Sequence, residues 1–401
     1  MVEAENQVSA RERNIVTASA LSSIFIFSFI IALPGVLINE VVDTFSLGGF
    51  SEGLMGTFTN IGFMVSMFFV VLVQGRVKKT KLFIFALCLQ AVALFVTGFS
   101  PTFFIFLLGS LILGFSNGFI DSCSNSAIVD VQGEGCSKYL GYLHGLFGVG
   151  ALLAPLVFMV ALRFIDWRGI HFALTGFSVL VMVFIFSLTR GLGAEKKQET
   201  KVREHLFTAS DLRAYLRVRR NVALSLAGMF GMFALFAVLI WIVRYMTLRF
   251  DAEDIGLLSV TIYWICATAN RLLFARFVKN ASMLFVAIGA LLSGAAVFIG
   301  VASGNPIVLC VMMGVFGFCS GHFVQVLVAE CAAGYKGRTS FTTSFLMFVM
   351  CIARIGAPVI MAFVGTQVSL FGGMMIPVVA CLLTAVFSWY AMKSQQPQTA
   401  V

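Results

Sequence analysis

Long apolar runs separated by short polar connections repeat along the whole chain. Twelve runs fall near residues 15–38, 52–74, 81–100, 102–130, 139–163, 168–189, 220–248, 254–277, 282–302, 306–333, 339–365 and 369–392. An apolar helix crosses a bilayer in roughly 20 residues, and each run meets that length. The exception among the connections is Arg190 to Arg220, a polar stretch carrying AEKKQET and LRVRRN. It divides the chain into a first bundle (1–190), a linker (191–219) and a second bundle (220–401). Within it, SDLRAYLRV predicts a short surface helix with Ser210 as its N-cap. The expected fold class is an all-α integral membrane protein with twelve transmembrane helices in two pseudo-symmetric six-helix bundles.

The pseudo-symmetry rests on three paired motifs. LGFSNGFID at 113–121 answers FGFCSGHFV at 316–324, and GRVKKTKLF at 75–83 answers ARFVKNASMLF at 275–285. A Gly-rich run ending at Pro155 answers Gly356-Ala357-Pro358. Internal repeats of this kind mark duplicated membrane transporters.

Composition agrees: 60% of the 401 residues are hydrophobic and 11% are charged, with a mean hydropathy of +0.99. The net charge of +9 does not point to nucleic acid, because the basic residues collect in short connections. Arg11 and Arg13, Arg76 to Lys81, Lys138, the linker, Arg276 and Lys279, and Lys336 and Arg338 all fall on one side of a twelve-span chain. That places both termini in the cytoplasm of a multi-pass protein of the inner or plasma membrane. The Asn280-Ala-Ser282 sequon falls on the same side and is not read as a glycosylation site. The polar first 14 residues, with Glu3, Glu5 and Glu12, lead into a retained first helix and not a cleaved signal peptide. Nine cysteines form no CxxC pair and lie mostly in apolar runs, so no disulfide framework, zinc site or cofactor is expected. The sequence holds no HExxH, no nucleophile with a paired base and no GxxxxGK[ST] loop, which argues against an enzyme or a self-contained ATP-driven pump.

The candidate chemistry lies in the polar residues of the spans. Asn117, Asp121 and Asn125 are four apart and stack into one helical stripe, which is either a seam gluing helices or a site for substrate and coupling ion. At about 1.5 Å per residue, Asp121 and His144 come to about the same depth on successive antiparallel helices. A carboxylate beside an imidazole is either a protonation switch or a fixed latch. Arg354 lies near the middle of its span and either binds an anionic substrate or pairs with an acid or a carbonyl. His322 and Gln325, three apart, share a face and line the cavity. Trp241, Arg244 and Tyr245, and likewise Trp264 and Asn270, are either boundary residues or contacts for a sugar ring. Arg244, Arg271 and Glu330 are read as gating or loop ion-pair residues. Gly141, Gly145, Gly148 and Gly150 are expected to let the fifth helix approach its neighbours, with Pro155 and Pro358 permitting bends.

Three of these stretches carry a family resemblance. GFIDSCSN at 118–125 resembles the fourth-helix signature of the fucose permease-like sugar:proton symporters in the major facilitator superfamily. LHGLFGVGALLAP at 143–155 resembles their fifth-helix signature, and WICATANRLLFARF at 264–277 is similar to their eighth helix. Gly141 stands where that family has Asn, QGRVKKTK at 74–81 lacks the superfamily's Asp, and no Pro occurs near Val324. Gly141, Gly150 and Pro155 also partly fit a drug:proton antiporter pattern, but Phe158 and Met159 replace its Gly pair. The resemblance implies a proton-coupling role for Asp121 and sugar binding by polar side chains of a central cavity. The expected function is therefore alternating-access, proton-coupled uptake of a small polar solute, a sugar or a sugar acid or other organic anion. Export of drugs or lipids is the alternative within transport, and a membrane sensor or enzyme the alternative outside it. The expected partners are that solute, a proton and the bilayer, with no nucleic acid, and the protein is expected to be a monomer.

Overall fold

The computed structural model describes residues 10–73, 77, 79–132, 136–190, 209–277, 282–333 and 339–394. Most of the linker, the sequon's Asn280 and the connection residues Arg76, Lys78, Lys279, Lys336 and Arg338 lie outside the described residues. All regular structure among the described residues is helical. The chain opens with α1 (Ala10–Ile30), α2 (Leu33–Val36), α3 (Ile38–Phe45) and α4 (Phe50–Val73). It continues with α5 (Lys79–Phe99), α6 (Phe103–Gln132), α7 (Cys136–Ala161) and α8 (Trp167–Thr189). After the linker come α9 (Ala209–Arg217), α10 (Arg219–Phe250), α11 (Glu253–Phe277) and α12 (Met283–Ala302). The last four are α13 (Pro306–Ser320), α14 (Phe323–Ala333), α15 (Thr339–Gln367) and α16 (Leu370–Lys393).

Among the described residues, eleven stretches are long and apolar enough to cross a membrane, with α1–α2 and α13–α14 each counting as one. The remaining predicted span corresponds to α4, of 24 residues. Helix ends are set by local chemistry. Asp166 accepts from the Gly169 N–H to cap α8, and Ser369 accepts from Gly372 to cap α16. Asn305 accepts from the N–H groups of Ile307 and Val308 ahead of Pro306, the first residue of α13. Asp251 ends α10 in the left-handed conformation, at φ 52. The short surface helix is described over Ala209–Arg217, which includes Ser210.

Among the described residues, two predicted spans are interrupted. The first breaks after Ile30, with Pro34 and Gly35 in the short α2 and a second segment, α3, following. Pro34 has no N–H to continue a helical ladder. The tenth breaks at Gly321–His322, between α13 and α14.

The chain forms two compact units. One comprises residues 1–33 and 61–201, the other residues 34–60 and 202–401. Residues 34–60 precede the linker in the chain but cluster with the unit that follows it. The reason lies in their side chains, described below. In the first unit, α5 packs on α6 and α8, and α1 on α6 and α7. A Cβ at Gly150 of α7 would overlap the Ser28 hydroxyl of α1, which is the close approach expected of the fifth helix. Gly141 and Gly145 face open space instead, so the approach rests on a narrower stretch than the glycine run suggests. In the second unit, α10 packs on α11, α15 and α16, and α12 on α13 and α16. Its core joins Tyr215, Leu224, Val286, Phe323, Leu327, Leu346 and Met350.

Candidate functional site

In the first unit the Asn117–Asp121–Asn125 stripe divides. Asn117 is 2% exposed, and its Oδ1 accepts from Gln90 Nε2 of α5 at 3.0 Å. Gln90 Oε1 accepts in turn from the Ser178 hydroxyl of α8 at 3.1 Å. Asn117 is thus part of a chain of neutral hydrogen bonds tying α5, α6 and α8, where each polar group satisfies the next. Asp121 and Asn125 are half-buried and act together: Asn125 Nδ2 donates to the Asp121 carbonyl at 2.9 Å and to its Oδ1 at 3.2 Å. His144 is exposed on α7.

A polar network of several charged groups lies in the second unit. Arg244 on α10, 9% exposed, meets the Glu52 carboxylate of α4 with Nε at 3.1 Å and Nη2 at 3.4 Å. This two-pronged approach matches the planar guanidinium to both carboxylate oxygens. Its Nη1 donates to Asn39 Oδ1 of α3 at 3.2 Å. Asn39 then spends both amide hydrogens, donating at 2.8 Å to Glu253 Oε1 of α11 and at 2.8 Å to the Thr247 hydroxyl. Every polar group of Asn39 is used, which fixes its orientation. Beside it Glu40 has one carboxylate oxygen, Oε2, buried without a hydrogen-bond partner among the described residues. Burial, reinforced by the charges of Glu253 and Asp43, raises its pKa from 4.5 to about 7.

A second contact holds residues 34–60 in this unit. Pro358 lies inside α15 and cannot donate to the Arg354 carbonyl one turn back. Asn60 Nδ2 supplies the missing bond at 3.0 Å, and the Thr57 hydroxyl donates to the neighbouring Ile355 carbonyl at 2.8 Å. A Cβ at Gly53 would overlap the Pro358 carbonyl, so glycine is what allows α4 to lie this close. The Arg354 guanidinium itself lies 4.2 Å from the centre of the Phe236 ring, a cation–π contact.

The break in the tenth span is also lined by polar groups. Arg271 Nε donates to the Gly321 carbonyl at 3.1 Å, and its guanidinium lies 5.8 Å from the Trp264 ring. His322 places Nδ1 3.1 Å from Asn270 Oδ1 and Nε2 3.1 Å from the Phe285 carbonyl, and stacks on Phe274 at 4.6 Å. His322 is buried whereas Gln325 is exposed. His322 lies in the break itself, whereas Gln325 lies in the first turn of α14. Trp241 and Tyr245 are buried, at 0% and 2% exposure, and not boundary anchors. Trp241 packs against Gly365, and its indole N–H has no acceptor among the described residues. Glu330 pairs with Arg220 at 2.5 Å.

Sequence reasoning missed Asn39, Glu40, Glu52 and Asn60. The first two lie at or beyond the expected end of the first span. The signal was an acid, Glu52, at the start of an otherwise apolar run, and an arginine, Arg244, deep in a later one.

Residues 16–358 match the family model of the Major Facilitator Superfamily. The chain belongs to this superfamily. No curated protein sequence matches it significantly. Among solved structures it is similar to a bacterial homolog of the human lysosomal transporter Spinster in an inward-facing, occupied conformation. That pair has a TM-score of 0.75 and 13% identity, covering 97% of this chain and 98% of the other. A D-xylose-proton symporter gives a TM-score of 0.72 at 15% identity, covering 96% and 99%. The superfamily transporter FucP in its outward conformation gives 0.63 at 17% identity, covering 94% and 98%. At such identities the likeness establishes the fold, and it is the all-α, multi-pass transporter fold expected from the spans. The superfamily expectation from the fourth- and fifth-helix motifs is met as well.

Proposed function

We propose that the protein is a secondary transporter working by alternating access, taking up a small polar solute together with protons. The observation that carries this is the set of ionisable groups kept inside apolar spans: Asp121 with Asn125 in one unit, and Arg244, Glu52 and Arg354 in the other. Such groups are costly in hydrocarbon and are kept where they serve a pathway. The similar fold of a D-xylose-proton symporter supports the same reading. Asp121 and His144 move the proton. Arg354, Asn125, Gln325 and Trp264 contact a sugar, sugar acid or other organic anion. Asn117, Trp241, Tyr245, Asn270 and His322 shape the surrounding wall through the contacts described above. Arg244 with Glu52 is a gate contact that is released and remade in each cycle, and Arg271 and Glu330 brace the gate. The protein resides in the cell membrane with both termini cytoplasmic and works as a monomer.

The test is transport in proteoliposomes, screening neutral sugars, sugar acids and organic acids by counterflow. Asp121→Asn is expected to abolish accumulation driven by a pH gradient while leaving solute exchange intact. Full pH-driven accumulation by that variant would remove proton coupling from Asp121. A chain that exchanges no solute in the screen argues for the sensor or enzyme reading.

A further inference from the structure

A groove of about 260 Å³ opens on the second unit where α9, the start of α10 and the end of α16 meet. Its lining is ordered by polarity. Arg219 and Tyr390 lie at the terminal end, and Val222, Leu226 and Phe387 follow toward the middle of the spans. Arg219, Val222 and Leu226 are spaced three and four apart on α10, and Phe387 and Tyr390 three apart on α16, so each helix presents one stripe. From Arg219 to Leu226 the stripe extends about 10 Å along the helix axis. Leu216 of α9 closes one side and is 48% exposed.

Charge separates this groove from an ordinary lipid-facing surface. Arg220 turns inward to Glu330, but its neighbour Arg219 is exposed and makes no ion pair among the described residues. Arg213 and Arg217 on α9 are likewise exposed and form no ion pair there. Lys393 lies 5.0 Å from the Trp389 ring at the end of α16. The helix carrying this charge is anchored, since Tyr215 is buried and its hydroxyl is 3.0 Å from Ser225 Oγ. We propose that this groove binds one anionic phospholipid, with its phosphate on Arg219 and the basic face of α9 and an acyl chain along Val222, Leu226 and Phe387. The match is of polarity as well as charge: a basic mouth above an apolar trough fits an amphiphile. It does not depend on the transport reading.

The full-length protein, purified in a neutral detergent, is titrated with phosphatidylglycerol, with phosphatidylcholine of the same chains and with inorganic phosphate, and its thermal unfolding is followed. Phosphatidylglycerol is expected to raise the unfolding temperature in a saturable way, whereas the other two leave it unchanged. Arg219→Gln is expected to weaken the phosphatidylglycerol effect about tenfold, as the loss of a charge-assisted hydrogen bond implies. Leu226→Trp, which fills the trough, is expected to remove it, and Arg249→Gln at the far end of α10 to leave it intact. Equal stabilisation by phosphatidylcholine, a response to inorganic phosphate alone, or an undiminished response in both groove variants would overturn the proposal. So would lipid-free self-association that Arg219→Gln or Leu226→Trp abolishes, since a second copy would then be the occupant.

Discussion

Arg244 carries a charge into the protein interior, and what makes that tolerable is how completely its neighbours use it. Glu52 takes the guanidinium on two prongs, Asn39 takes a third N–H, and Asn39 passes the connection on to Glu253 and Thr247. Removing one member of a buried pair strands the other. Arg244→Gln or Glu52→Gln is therefore expected to cost about 3–5 kcal/mol, and the double variant clearly less than the sum. Unfolding temperatures of the three purified variants check this. Glu40 adds a pH dependence of definite sign. Its pKa is about 7 in the folded protein against 4.5 as an unperturbed carboxyl, so the folded state holds a proton that the unfolded chain has already lost. Its contribution is full below about pH 4.5 and disappears as pH rises through 7. Stability measured from pH 5 to 8 is expected to fall more steeply in the parent than in Glu40→Gln; equal slopes would exclude this carboxyl as the source. Sequence marked Arg244 as unusual, but not its partners. Asn39 and Glu253 are 214 positions apart, and no periodicity within either helix links them.

At the level of elements, the helices were legible and their interruptions were not. Apolar run length places the long helices within a few residues, because the bilayer sets that length whatever the neighbours do. The break at Gly321–His322 has no such signature, since glycine and histidine both occur inside unbroken helices. It is specified by neighbours: Arg271 on the freed carbonyl, Asn270 and Phe285 on the imidazole. Gly321→Ala would bring a Cβ to 2.6 Å from the Ala267 carbonyl and is expected to destabilise the protein by about 1–3 kcal/mol. Helix α15 runs on through Pro358 without a break, with Asn60 donating to the carbonyl that the proline leaves open. Asn60→Leu is expected to cost about 1–3 kcal/mol by leaving that carbonyl unsatisfied, measured as a lower unfolding temperature. Asn60→Asp, which has no hydrogen to donate when ionised, is expected to be at least as damaging.

On the scale of the whole molecule, residues 34–60 precede the linker in the chain and yet cluster with the unit that follows it. The missing information was again contact across the chain: Asn39, Glu52, Thr57 and Asn60 all find partners in the second unit. The end of the linker is fastened there too, through Tyr215. Tyr215→Ala is expected to release α9, so that trypsin cleaves at Arg213 and Arg217 several-fold faster than in the parent. The interrupted tenth span has a consequence for biosynthesis. Its two pieces, of 15 and 11 residues, are each too short to cross a bilayer alone, so they must enter the membrane as one segment with a histidine at its centre. The groups that later receive that histidine and the open turn lie on α11 and α12, earlier in the chain. They leave the ribosome first, and the polar turn arrives to find its acceptors already in place.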